Sequence, residues 1–138
     1  LPESAEVGRF PWEFVMNQQA VFEGLDADLQ AWRIDGMNGS PEERAKFLKS
    51  CFHAARLNMR FALLATPILR PGKTQREVFD EIVPKVIESV AEDGRSSGYT
   101  DEQVQLYVET HQRAYRALAG EFGFEEMTPD EIESLTKF

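Results

Sequence analysis

The sequence predicts an all-α fold: a four-helix bundle or close relative with a short fifth helix at the C-terminus, formed by residues 1–138 as a single helical domain. Three observations carry that prediction. Helix-start signals recur along the chain, Gly- and Pro-rich stops alternate with them, and apolar residues between them repeat at helical spacing with no competing strand pattern. A chain of 138 residues buries about two thirds of its unfolded surface in one domain without disulfides or metals.

The first helix is expected over 11–34. Pro11 opens it, and Phe14, Val15, Gln18, Phe22, Leu25, Leu29 and Trp32 share one face. It stops at Asp35-Gly36-Met37-Asn38-Gly39. Ser40 with Glu43 then form a capping box, in which each side chain satisfies a free backbone N–H of the first turn, and Pro41 takes the position where a missing N–H costs nothing. The second helix, 41–65, carries two apolar faces: Leu48, Cys51, Phe52, Ala55, Met59 and Ala62 on one, Leu57, Phe61 and Leu64 on the other. Two such faces predict a sandwiched, central helix.

Pro67 through Gly72 end it, and Thr74 with Glu77 open the third helix, 75–93. Phe79, Ile82, Val83, Val86, Ile87 and Val90 align there, while Pro84 is expected to kink the helix or remove one backbone bond. After Gly94-Arg95-Ser96-Ser97-Gly98, Thr100 with Gln103 open the fourth, 101–121, whose face is Val104, Tyr107, Val108, His111, Tyr115, Leu118 and Phe122. Beyond Gly120 to Gly123, Thr128 with Glu131 and Pro129 start a short helix, 129–137, expected to pack over one end.

A net charge of -9 argues against nucleic-acid binding, because neutralising phosphates requires a basic surface. No run of about 18 apolar residues is present to span a membrane, and the longest apolar stretch, Phe61 to Ala65, is core-sized. Cys51 has no partner for an intrachain disulfide. A lone cysteine suits a reducing compartment, which makes the cytoplasm the first choice while the compartment otherwise stays open. Charge is sharply segregated: from Arg44 to Arg76 there is no Asp or Glu, so all 24 acids lie outside a window that holds Arg44, Lys46, Lys49, Arg56, Arg60, Arg70, Lys73 and Arg76.

Within that window Lys49, His53, Arg56 and Arg60 are spaced four, three and four, and therefore form one stripe on the second helix. A cation near the interior needs an anionic counterpart. Acids of neighbouring helices, such as Asp26, Asp28, Glu81, Glu88 and Glu109, are the simpler answer; a carboxylate or phosphate ligand, or an acidic partner chain, is the other. Arg70-Pro71-Gly72-Lys73-Thr74 runs into the third helix, where free N–H groups together with Arg70, Lys73 and Arg76 suit an anion. Gly72-Lys73-Thr74 resembles the end of a phosphate-binding loop, but the required first glycine falls on Pro67 and the preceding segment reads as helix.

His111, between Tyr107 and Tyr115 on one face, is read as a core histidine with one hydrogen bond before it is read as a ligand or base. No second metal ligand stands at ligating spacing, Cys51 lies on an apolar face where burial keeps a thiol inert, and the acid pairs Glu42-Glu43, Glu92-Asp93 and Glu125-Glu126 are expected to be solvated. No catalytic residue, metal or cofactor is assigned. Trp12, Phe122 and Phe124 lie at helix ends and either cap the core or present a patch to another chain.

The expected function is therefore a non-catalytic interaction or regulatory module that binds a protein partner or itself as a homodimer, segregated charge being able to pair between chains. The alternative is a helical sensor or carrier of a small anion held between the second and third helices by Lys49, His53, Arg56, Arg60, Arg70, Lys73 and Arg76. An enzyme is a third reading, without a residue set to support it.

Overall fold

The computed structural model describes the backbone of Trp12–Phe138 and the side chains from Gly24 onward. Among the described residues the fold is all-α. Helices α1 (Trp12–Met37), α2 (Pro41–Leu64), α4 (Gln75–Ser96) and α5 (Asp101–Glu121) are long, whereas α3 (Thr66–Leu69) and α6 (Pro129–Ser134) are short. The chain divides into two units, Leu1–Trp32 and Arg33–Phe138. In the first, Leu25, Leu29 and Trp32 of the expected α1 face are exposed. The other members of that face, Phe14, Val15, Gln18 and Phe22, lie outside the described side chains.

In the second unit α5 packs against α2, α4 and α6. It buries Val104, Tyr107, Thr110, His111, Ala114, Tyr115, Ala117, Leu118 and Ala119. Ala114 and Ala117 are fully buried, and such small side chains let helix backbones approach on more than one side. The middle position therefore belongs to α5. The expectation that the 41–65 helix is sandwiched is corrected, because Leu57, Phe61 and Leu64 all face outward. One end of the core gathers Phe52, Ala55, Met59 and Leu63 of α2 with Val78, Ala114, Tyr115 and Leu118. The other gathers Met37, Phe47, Leu48 and Cys51 with Val90, Tyr99, Val104 and Tyr107.

Several helix ends lie later than the glycines suggest. Met37 belongs to α1 and is fully buried, and a Cβ on Gly36 would sit 2.3 Å from the Phe47 ring. That glycine serves close packing, so it does not stop the helix. Gly94 is likewise inside α4, facing Tyr99. The stop is Gly98, whose φ of +80° is left-handed, with the Tyr99 N–H donating to the Gly94 carbonyl. α4 runs continuously through Pro84. α3 is an extra turn where only a stop was expected, and α6 ends at Ser134.

Candidate functional site

The cations of α2 point to two different answers. Arg56 is in contact with Glu121 at the end of α5, and Arg60 Nη2 donates to the other oxygen of the same carboxylate at 2.7 Å. Burial, and then the neighbouring Arg60, push the Arg56 pKa down. Glu121 is the acid that faces both arginines. Lys49 and His53, earlier in the stripe, are exposed and have no ion-pair partner among the described residues.

A second cluster forms where α3 turns into α4. Lys73 Nζ lies 2.5 Å and Arg70 Nη1 3.5 Å from Glu81, which Lys85 also approaches at 4.0 Å. Lys73 holds the Glu81 carboxyl below the usual carboxylate range. Arg76 is 3.9 Å from Asp80, one turn along its own helix. The seven residues proposed from sequence as one anion site thus separate: Arg56 and Arg60 pair with Glu121, Arg70 and Lys73 with Glu81 and Arg76 with Asp80, while Lys49 and His53 stand outside these pairs. Thr74, whose hydroxyl accepts from the Glu77 N–H, occupies the helix start between Lys73 and Arg76 in chain order.

The outer face of α2 carries the feature that periodicity assigned to the core. Leu57, Phe61, Leu64, Ile68 and Leu69 are 63%, 72%, 62%, 83% and 65% exposed. The first four are spaced four, three and four, so they form one ridge. Ala65 joins α2 to α3 with φ of -84°, and its N–H bonds to the Phe61 carbonyl, so Ile68 and Leu69 follow directly on the apolar row of α2. The end of α2 and the start of α3 are held in place: buried Thr66 of α3 donates through Oγ1 to the Ala62 carbonyl of α2, and Gln75 Nε2 of α4 donates to the Leu63 carbonyl of α2.

No known protein family, curated protein or solved structure matches the chain. His111 is buried, and its Nδ1–H donates to the Tyr107 carbonyl at 2.8 Å. Burial lowers its pKa and keeps the imidazole neutral. Burial also pushes the Cys51 thiol up to about 12, far from a reactive thiolate. Among the described residues no group of three or more His, Cys, Asp or Glu is arranged to hold a metal ion, and no helix is long and apolar enough to cross a membrane.

Phe122 and Phe124 are partly buried against the core, with Phe124 5.3 Å from the Phe79 ring. The Trp12 side chain lies outside the described residues. Sequence reasoning missed Glu121, which it took only as a helix end, and Ile68 and Leu69, which it took as part of a stop. The signal for the latter was an adjacent apolar pair inside a Pro–Gly turn, where polar residues are the rule.

Proposed function

We propose that this chain is a non-catalytic interaction module whose contact surface is the apolar ridge of α2 and α3. The observation that carries the reading is the exposure of Phe61 and Ile68, at 72% and 83%, within a contiguous ridge. Isolated exposed apolar side chains are ordinary, but a connected row of large ones on a braced element is the usual mark of a surface that is covered when the protein works. The polar alternatives are weaker. An anion at α2 and α4 has to displace Glu121, Glu81 and Asp80 from the arginines and lysines that it needs.

The test is photo-crosslinking from single positions in the cells that make the protein. With the photoreactive residue at 57, 61 or 68, one protein adduct of constant mass is expected, absent when it replaces exposed Glu102 or Glu109 on α5. Equal labelling from all positions, or no adduct from the ridge, overturns the reading.

A further inference from the structure

We infer that the ridge receives an amphipathic helix whose polar flank is acidic, supplied by a different protein; this rests on the interaction-module reading and specifies its partner. The warrant is the rim of the ridge. Helical spacing places His53 and Arg60 one turn from Leu57, and Arg60 one turn before Leu64, so the cation stripe runs along one flank of the apolar row. Lys49 extends that flank, and Lys49 and His53 are its cationic positions with no ion-pair partner among the described residues. No acid occurs anywhere from Arg44 to Arg76. A helix with apolar anchors at four- and three-residue spacing fills the ridge, and acids beside its anchors meet this rim.

The same rim disfavours the other occupants. A second α2 laid antiparallel along the ridge brings the two cation stripes to the same flank, a like-charge juxtaposition that costs binding energy. An anionic bilayer needs several basic residues near its surface to hold a protein by charge. Few cations are free to supply it, since Arg60, Arg70 and Lys73 already have acids, and the 24 acids elsewhere oppose approach. A protein helix needs only a few well-placed carboxylates, and its anchors supply most of the contact.

The test uses the purified full chain and two fluorescein-labelled synthetic helices that share the same Leu anchors, one flanked by Glu and its twin by Lys. The Glu peptide is expected to bind at least about tenfold tighter than the Lys twin, and to weaken as salt rises. Phe61→Ser is expected to weaken it about tenfold through the lost anchor, and Lys49→Glu with His53→Glu to erase the preference between the peptides. Circular dichroism checks that both variants remain folded. Equal or tighter binding of the Lys twin, or indifference to Phe61→Ser, overturns the inference. So does ridge-dependent binding to phosphatidylserine vesicles with no binding to the Glu peptide, or a stable dimer that the peptide fails to dissociate. Ridge-specific crosslinking together with failure of the Glu peptide leaves the module reading standing and removes only this account of its partner.

Discussion

Glu121 sits between Arg56 and Arg60 and is itself only 24% exposed by side chain, while Arg56 is 17% exposed. Removing the acid leaves adjacent guanidiniums without their counterpart, in a setting drier than an ordinary surface pair. Glu121→Gln is therefore expected to lower stability by about 1 to 2 kcal/mol, more than an exposed pair and less than a fully buried one. Urea denaturation with an unchanged slope checks this, and a loss of only about 0.3 kcal/mol or less means the pair is solvated. Exposed Arg76 and Asp80 serve as the comparison, where the corresponding loss is expected to be small. Gly36 makes the complementary point about packing: it is conspicuous in the sequence as a turn signal, yet its role is to let Phe47 lie against the α1 backbone. Nothing local distinguishes those two uses of glycine.

At the scale of elements, the helix starts are where sequence and structure agree most closely. Ser40, Thr74, Thr100 and Thr128 each accept from the backbone N–H three residues on. For Thr74 and Thr100 the reciprocal bond is present as well. Thr74→Ala and Thr100→Ala are each expected to cost about 1 kcal/mol, and the double variant about their sum because the caps belong to separate helices. Denaturant midpoints of the two single variants and the double variant check both statements. Thr74 also holds the Glu77 carboxyl below its usual range. The stability linked to that carboxylate is present above its unfolded value of 4.5 and is lost as pH falls through the lower folded value. The helix ends were read less well. Gly94 and Gly36 lie within helices because tertiary neighbours, Tyr99 and Phe47, occupy the space that a side chain there would need.

For the molecule as a whole, His111 sets an acid limit distinct from that of the carboxylates. Its folded pKa is below the 6.5 of a free imidazole, so the unfolded chain takes up the proton first. Stability is then full above about pH 6.5 and declines as pH falls toward the folded value, by at most about 1.4 kcal/mol per pH unit from this group. His111→Leu is expected to flatten that part of the profile while leaving the decline below 4.5, where Glu77 and Glu81 act, in place. Urea midpoints measured across this range check it, and an unchanged slope assigns the decline to other groups.

The all-α class, the four capped starts and the segregation of charge were legible in the sequence because the interactions behind them act within about four residues. Periodicity likewise showed that α2 has two apolar faces. Which of them is buried depends on what packs alongside, and that is a property of the assembled helices. Small residues on α5, which contribute little to any apolar pattern, let that helix take the middle, so Phe52 and Leu63 went inside while Phe61 and Leu64 were left outside. The same packing decided that the acid meeting Arg56 and Arg60 is Glu121, more than sixty residues away along the chain. Short-range chemistry determined the elements, and only their packing decided which apolar surface stayed exposed.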